Sequence, residues 1–278
     1  MYVGLDIGGT NIRIATSQSL RPTRLERKAS FPNLPDYREN ERRILETIKG
    51  YGAPIKGIGM SIAGGLNEDR TALVGATYLP QWVGQPIAKV LQKRFSCPTA
   101  MNHDAWCSAL AEAQRRDSDF LFLVYGTGIG GAVVTRRTAG TEIRKLSREE
   151  HAAHLRPWQE VCGGRTLEAE FEKPASRLSD AEWDAVMDRF GQHFIGFVRH
   201  FKPKTVVFGG GVAIKQWSRL ERAVDTLKQR HAEIRGITVA AAQSGEDAGL
   251  LGAVTLLDKE VPIIVYEKGR HIADARSA

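Results

Sequence analysis

The feature that most constrains this chain is a glycine-rich hairpin near its middle, at residues 120–135, FLFLVYGTGIGGAVVT. The apolar residues Phe120–Tyr125 predict a buried strand, and Ala132–Val134 is typical of a strand that returns beside it. The glycines between them leave the backbone bare, so that its N–H groups can approach an anion such as a phosphate. By itself, such a turn is as compatible with a structural role as with phosphate binding.

The start of the chain carries a similar hairpin. Tyr2–Ile7 leads into Gly8-Gly9-Thr10, and the chain returns as Ile12–Ala15. Two such hairpins, with Asp6 at the end of the first strand, favour a nucleotide site. They also indicate two related halves that face each other across the phosphates.

Composition excludes several classes of protein. With 278 residues, 42% of them hydrophobic and 26% charged, the chain is expected to form two domains of ordinary size. No apolar run reaches the roughly 18 residues that a spanning helix needs, and a first strand at Tyr2 leaves no room for a signal peptide. Three cysteines in no framework spacing predict reduced thiols and a cytoplasmic protein.

The net charge of +7 does not by itself indicate nucleic acid binding. The basic residues are scattered, and the densest patches, Arg21–Lys28 and Arg136–Arg148, lack interleaved aromatic residues and also contain acidic ones. We therefore expect a solvated surface, or a general attraction for anionic substrates, and no membrane or nucleic acid partner.

Strands and helices alternate along the chain, which predicts an α/β fold. Asp36 with Glu39 predicts a capping box at one helix, and Ser179 with Glu182 predicts a second box that opens a long amphipathic helix. The polar stretch Arg136–Glu150 predicts a loop.

Other glycines also follow predicted strands. Strand Ile55–Ile62 ends in Ala63-Gly64-Gly65, and strand Thr205–Phe208 runs into Gly209-Gly210-Gly211. The glycine run after Phe208 fits either a close approach to a nucleotide or a tight turn. Near the end, Gly245–Leu257 is typical of a small-residue helix suited to tight packing.

Asp104 is the carboxylate that we single out as a candidate catalytic group. It lies where the strand Pro98–Asn102 gives way to a helix over Ala105–Arg116, close in sequence to the central hairpin. Aspartate is a favoured helix N-cap, and the local sequence fits that role as well as it fits a general base. As a base it would accept the proton of an attacking hydroxyl.

The ordered motifs resemble those of the ROK family of sugar kinases. From about Tyr2 to Leu257 the chain carries LDIGGTNIRIA, GMSIAGG, LPQW, an Asp–Glu pair (Asp104 and Glu112), YGTGIGGAVV, VVFGGGV and GEDAGLLGA, in that order. The resemblance implies two ribonuclease-H-like domains of the actin-like ATPase type with a cleft between them. The smaller α/β domain is expected at 1–104, with the helix at about 245–257 packing back onto it, and the larger one at 105–278.

The resemblance also implies roles for individual residues, with Asp104 as the catalytic base. The expected nucleotide-binding residues are Asp6, Gly8, Gly9, Thr10, Asn11, Gly126, Thr127, Gly128, Gly209, Gly210 and Gly211, with Asp6 also near Mg²⁺. The expected sugar-binding residues are Gly64, Gly65, Asn102, His103, Glu150, His151, His154 and Glu168.

The sugar site departs from the family pattern in two places. His103 precedes Asp104 where members usually carry asparagine, and the asparagine lies one place earlier, at Asn102. His151 stands where a glutamate is usual, with Glu150 just before it. Either the two histidines replace these sugar contacts, or the loops shift by one residue so that Asn102 and Glu150 fill them.

The family's zinc signature is almost lost. Of that signature the chain keeps Cys162-Gly163, and Glu160 stands at the first cysteine position. Because a structural zinc needs four closed ligands, we expect none here. A three-ligand site of His151, His154 and Cys162 is the less favoured alternative.

The resemblance implies an ATP- and Mg²⁺-dependent hexose kinase of the glucokinase type, and a possible homodimer. The alternatives are an N-acetylhexosamine or fructose kinase, a kinase that uses polyphosphate, and a sugar-binding protein that has lost catalysis. A ROK repressor would need a helix-turn-helix ahead of this domain, and we do not expect one before a strand that begins at Tyr2.

Overall fold

The structure is a computed structural model that describes residues 1–261, 263–267 and 270–273. Its strands are β1 (Tyr2–Ile7), β2 (Asn11–Ser17), β3 (Glu26–Pro32), β4 (Gly57–Ile62), β5 (Gly65–Leu66), β6 (Leu73–Gly75), β7 (Thr99–His103), β8 (Phe120–Tyr125), β9 (Ile129–Arg137), β10 (Gly140–Lys145), β11 (Thr205–Gly209), β12 (Thr238–Ala241), β13 (Ile263–Glu267) and β14 (Arg270–Ala273). Its α-helices are α1 (Tyr37–Gly50), α2 (Ile87–Phe95), α3 (Asp104–Ala113), α4 (Arg148–Glu150), α5 (Arg156–Cys162), α6 (Gly164–Phe171), α7 (Asp180–Phe201), α8 (Gly211–Lys215), α9 (Trp217–Arg230) and α10 (Ala248–Thr255).

The chain divides into two compact units. The first unit comprises residues 1–116 and 137–143 and the described residues from Asp247 onward, and the second comprises 117–136 and 144–246. The first unit therefore extends past residue 104, the boundary expected from the sequence, and includes both α3 and α10. It is assembled from segments that lie far apart along the chain.

The first unit contains a five-stranded sheet in the order β3-β2-β1-β4-β7. Strand β1 pairs antiparallel with β2 and parallel with β4, which pairs parallel with β7. Helix α10 packs on β1 and β4 so closely that the β-carbon of any other residue at Gly4 or Gly59 would meet the helix backbone. The small residues GLLGA of α10 and the glycines of the strands thus serve the same close packing.

The second sheet has the strand order β12-β11-β8-β9-β10-β13-β14. Strands β8 and β9 pair antiparallel from Phe120↔Val134 to Tyr125↔Ile129, which confirms the central hairpin predicted from the sequence. Strand β11 pairs parallel with β8 and brings the end of β11, at Gly209, beside Val124. The two glycine segments that follow these strands therefore lie at the same edge of the sheet.

Helix α7 supplies much of the core of the second unit. The predicted capping box is confirmed, because Ser179 Oγ accepts from Glu182 N and Glu182 Oε2 accepts from Ser179 N. Aromatic residues on one face of α7 surround the indole of Trp158, with ring centroids 4.9 Å away for Phe190 and 5.8 Å away for Phe197. This face makes α7 the central packing element of the unit.

Two local predictions are wrong. The polar stretch Arg136–Glu150 is not a loop, because β9 continues into it and β10 follows, with Thr141 and Ile143 buried in alternation. At α1, Asp36 does accept from Arg38 N, but Glu39 binds the Arg42 guanidinium and makes no capping box. None of the helices in the described part of the chain is long and apolar enough to cross a membrane.

Candidate functional site

The turn between β1 and β2, residues 8–11, forms the first glycine loop. Gly8 N donates to Asn11 O over 3.0 Å and closes the loop. Outside the loop, Asn33 Nδ2 donates to Gly8 O over 2.7 Å, and Asn33 N donates to Thr10 O over 2.9 Å. In a trans peptide the N–H points away from the preceding C=O. The N–H groups of Gly9 and Asn11 are therefore turned away from Asn33, as an anion-binding loop requires.

Asp6 ends β1 and is almost fully buried, with 8% of its surface exposed. Its Oδ1 accepts from Ser61 Oγ over 2.7 Å, and its Oδ2 accepts from Arg13, the residue directly opposite on β2. Gly249, at the start of α10, lies against the carboxylate, because a β-carbon there would stand 2.7 Å from Asp6 Oδ1. The carboxylate is thus held in one orientation by two donors and a close helix.

Asp104 is the first residue of α3, and the N-cap position belongs to His103. Asp104 Oδ1 accepts from Ala105 N over 2.7 Å and lies 2.9 Å from His103 Nδ1. His103 Nδ1 is also 3.3 Å from Ala105 N. One nitrogen cannot accept from Ala105 and donate to Asp104 at once, so His103 caps the helix when Nδ1 is bare and donates to Asp104 when Nδ1 is protonated.

Asn102 is buried at the end of β7, where its Oδ1 accepts from His103 N over 2.8 Å. Gly64 and Gly65 lie where β5 begins. Gly64 has φ +140°, and a β-carbon there would stand 2.8 Å from Gly75 O. Glycine is required at this position on both grounds.

The carboxylates of Asp6 and Asp104 act on the same buried thiol. Burial raises the pKa of Cys107 well above its usual range, and the negative charges of Asp6 and Asp104 raise it further. Ser61 and the guanidinium of Arg70 act in the opposite direction. The charges of two carboxylates and an arginine therefore all act on a thiol of α3.

The second glycine loop, Gly126–Gly128, is anchored by the start of α6. Gly164 N donates to Gly126 O over 2.9 Å, and Arg165 N donates to Thr127 O over 3.0 Å. These N–H groups have no partner within their own helix, so the loop carbonyls satisfy them. Next to the loop, Ile129 N donates to the Gln159 side chain over 3.1 Å. The Gly209-Gly210-Gly211 segment lies beside it, since Gly126 would bring a β-carbon to 3.9 Å from Gly211 N.

Gly209 and Gly210 are both sterically required. A β-carbon at Gly209 would stand 2.6 Å from the Phe122 ring, and one at Gly210, where φ is +89°, would stand 2.6 Å from Tyr125 O. Gly211 has open space around it. The close packing of Gly209 and Gly210 shows that the run is a tight turn. The turn also places backbone without side chains beside the second glycine loop.

The four remaining predicted sugar residues belong to the second unit. Glu150 closes a capping box on Ser147 N over 2.7 Å and binds both terminal nitrogens of the Arg144 guanidinium over 2.6 and 3.0 Å. Burial alone would raise the pKa of Glu150, but Arg144 and Ser147 together lower it. His151 starts a π-helical turn, and Glu168 lies exposed on α6.

His154 packs against α7, with its ring 3.9 Å from that of His200, centroid to centroid. Burial and the neighbouring His200 lower the pKa of His154, and Glu150 acts in the opposite direction. The π-helical turn, His151–Leu155, precedes Pro157, which lacks the N–H that an α-helix would use there. The sequence thus puts a wide turn at the segment that carries both histidines.

Among the described residues, no group of three His, Cys, Asp or Glu side chains is arranged to hold a metal ion. The alternative trio of His151, His154 and Cys162 is therefore not assembled. The Cys162 thiol is buried and lies 3.8 Å from Val186 O, and burial raises its pKa to about 12. Such a thiol does not ionise readily to a metal-binding thiolate.

Sequence reasoning missed three residues that the structure brings to these sites, namely Asn33, Arg13 and Arg70. Arg13 was predictable in part, because a residue seven positions from Asp6 across a tight hairpin lies opposite it. Arg70 stands in a turn held by Asn67 and has φ +52°, a strained conformation for a residue other than glycine. The sequence carries no local signal for Asn33.

Comparison with known proteins gives consistent results. The ROK family model matches residues 2–141 and 135–260. A glucokinase from Thermotoga maritima is 23% identical over 93% of this chain and 98% of its own length. An N-acetyl-D-glucosamine kinase from Histophilus somni is 24% identical over 92% of this chain and 98% of its own.

Among solved structures, a ROK family glucokinase from Streptomyces griseus in complex with glucose and AMPPNP superimposes with a TM-score of 0.72, at 21% identity, over 92% of this chain and 98% of that one. This likeness confirms the predicted fold class, two α/β domains of the actin-like ATPase type. With a family model that matches nearly its whole length, the chain belongs to the ROK family.

Proposed function

We propose that this protein is a sugar kinase that transfers the γ-phosphoryl group of ATP to a hydroxyl of a hexose or N-acetylhexosamine. The observation that carries the proposal is Asp104. Asp104 follows the N-cap residue His103 at the first position of α3, where its carboxylate matches the catalytic base of the family pattern. The glucokinase and N-acetylglucosamine kinase among the relatives support the same substrate class.

In this reaction Asp104 accepts the proton of the attacking sugar hydroxyl. The first and second glycine loops bind the phosphates of ATP through backbone N–H groups, so positioning and charge stabilisation supply most of the rate. In the first unit the sugar-contact candidates are Asn102, His103, Gly64 and Gly65. In the second unit they are His154 and Glu168.

Mg²⁺ is expected with ATP, and Asp6 is the residue that would hold it. Asp6 is almost fully buried and accepts from Ser61 and Arg13, so it would meet the ion through a water, and Mg²⁺ usually keeps several waters. When bound, the ion would neutralise charge on the phosphates.

The test is a coupled assay of ADP formation with glucose, mannose, fructose, N-acetylglucosamine and N-acetylmannosamine, with ATP or polyphosphate as donor. We expect turnover with ATP and at least one of these sugars, in a buffer that contains Mg²⁺ and a thiol reductant, as the cytoplasm does. Glucose is the first candidate, because Asp104, His154 and Glu168 persist from the family pattern. Absence of transfer from either donor to every sugar would refute the kinase assignment.

A sugar-binding protein without catalysis is the second candidate. It is favoured by the departure from the family pattern beside the proposed base, where His103 stands in place of the usual asparagine. A thermal-shift screen of the same sugars separates the two, since a ligand that binds only the native state raises its stability. A sugar that stabilises the protein and is never phosphorylated would select this candidate.

A further inference from the structure

The LPQW motif has no part in the reaction described so far, although it contains one of the most buried side chains of the first unit. Residues Pro80–Trp82 form a 3₁₀ turn, and 1% of Trp82 is exposed. The polar groups of this turn converge on Asn33. Trp82 Nε1 lies 3.1 Å from Asn33 Oδ1, and Gln81 Nε2 lies 3.2 Å from the same oxygen.

A third donor to Asn33 comes from α1. Asn40 is fully buried, and its Nδ2 donates to Asn33 Oδ1 over 2.9 Å. Asn40 Oδ1 in turn accepts from Leu34 N over 2.9 Å, so its own orientation is fixed. Three N–H groups thus hold one amide oxygen, which fixes which end of the Asn33 amide is oxygen and which is nitrogen.

The amide nitrogen of Asn33 faces the other way, toward the first glycine loop. Its Nδ2 donates to Gly8 O over 2.7 Å, and its backbone N–H holds Thr10 O over 2.9 Å. The internal bond from Gly8 N to Asn11 O closes the loop, and Asn33 adds two bonds from outside it, to the carbonyls of Gly8 and Thr10. The direction of the loop N–H groups is therefore set by a residue 25 positions away.

We propose that Asn33 is a positioning residue for nucleotide binding, which aims the first glycine loop at the phosphates and is itself held by the LPQW turn and Asn40. The proposal rests on the proposed function in taking the loop as a phosphate loop. It also gives the LPQW motif an indirect role in phosphate binding, because the motif holds the Asn33 amide and the amide holds the first glycine loop.

The test uses Asn33→Asp, which has the same shape. The new carboxylate keeps an oxygen for the three donors but replaces the N–H toward Gly8 with a second oxygen. Gln216→Glu is the matched control, because it makes the same change from amide to carboxylate at an oxygen that also accepts an N–H group, from Arg219 Nε over 3.1 Å. Asn33→Ala, which removes the donor without adding charge, replaces Asn33→Asp if that variant does not fold.

Each variant is measured for the Kd of a non-hydrolysable ATP analogue, the KM for ATP and for the sugar, and its melting temperature. Losing a hydrogen bond and placing two oxygens together should raise the Kd and the KM for ATP by about tenfold or more. The KM for sugar should stay within about twofold, as the KM for both substrates should in Gln216→Glu. A merely structural role would lower the melting temperature without this split.

An unchanged Kd for the ATP analogue in Asn33→Asp, or an equal rise in the KM for ATP and for sugar, would overturn the proposal. The kinase assignment fails separately, when the wild type binds the analogue and phosphorylates no sugar. In that case the Kd of Asn33→Asp still decides the role of Asn33. A wild type that does not bind the analogue overturns both.

Discussion

The two glycine loops have the same proposed role, the binding of phosphate, but they are held in different ways. The first glycine loop is anchored by a side chain, the Asn33 amide, which reaches it from another part of the chain. The second is anchored by backbone N–H groups at the start of α6, from Gly164 and Arg165. One anchor can be removed by changing a side chain, whereas the other is sensitive only to substitutions that move the backbone.

This difference shows how one function is encoded twice. At Gly163 and Gly164 any β-carbon would stand 2.6 Å from a carbonyl oxygen, that of Gln159 or Gly126. The second loop therefore depends on the absence of side chains, and the first on the presence of one. Four experiments test these differences between the two units.

The largest effect is expected from Asp104→Asn, because Asp104 is the proposed proton acceptor of the reaction. Removing a general base should lower kcat by about 10²-fold or more, while nucleotide and sugar still bind. The measurement is steady-state kinetics alongside ligand binding. His103→Asn, which restores the family residue beside an intact Asp104, is the control and should keep kcat far closer to that of the wild type. Near-normal turnover in Asp104→Asn would exclude Asp104 as the base.

The second experiment tests the anchor of the second glycine loop with Gly164→Ala. The new methyl group would press on Gly126 O at 2.6 Å and should lower the free energy of unfolding by about 1–3 kcal/mol, as overpacking does. Gly211→Ala is the matched control, since nothing lies within 4 Å of its β-carbon and its φ is not positive. It should be neutral or stabilise the protein by about 0.4–1 kcal/mol. Equal losses in both variants, measured by urea unfolding, would refute the backbone anchor.

The third experiment concerns Glu150, whose partners lie in the second unit. The Glu150 pKa is lowered, so the carboxylate stabilises the fold at neutral pH and loses this contribution as the pH falls through the carboxyl range. Glu150→Gln should lower the free energy of unfolding by about 0.5–1 kcal/mol at pH 7 and by less near pH 4. The neighbouring exposed Glu149→Gln is the control. A loss that does not shrink toward pH 4 would contradict the role of the carboxylate charge.

The smallest effect is expected from a zinc chelator, which should not change the stability of the protein. Around Cys162, which the family's zinc signature would include, the second unit is held by the packing of buried side chains such as Trp158 and Phe190. A structural zinc would instead need four ligands. A chelator should therefore leave the melting temperature unchanged, and elemental analysis should find no stoichiometric zinc. One zinc per chain would show that a metal contributes to the stability of the second unit.

Features coded by neighbouring residues could be predicted from the sequence, as the two hairpins and the Ser179 capping box show. Strand β10 was missed because its outward residues are polar and mask the alternation of Thr141 and Ile143. The Asn33 anchor lies beyond local reasoning, since its partners come from the first glycine loop, α1 and the LPQW turn. Glu150 was matched to a sugar contact by sequence, and only the structure shows it holding Arg144 and Ser147.

The close packing of α10 on β1 and β4 has a consequence for folding during translation. The first unit cannot close over its sheet until α10 has been synthesised, after residues 117–246. At about 5–20 residues per second, the nascent sheet waits on the order of 10 s on the ribosome with Gly4 and Gly59 uncovered. The second unit, whose segments are nearly contiguous, should become protease-resistant earlier in translation. Pulse proteolysis of stalled nascent chains ending before and after α10 would reveal this order.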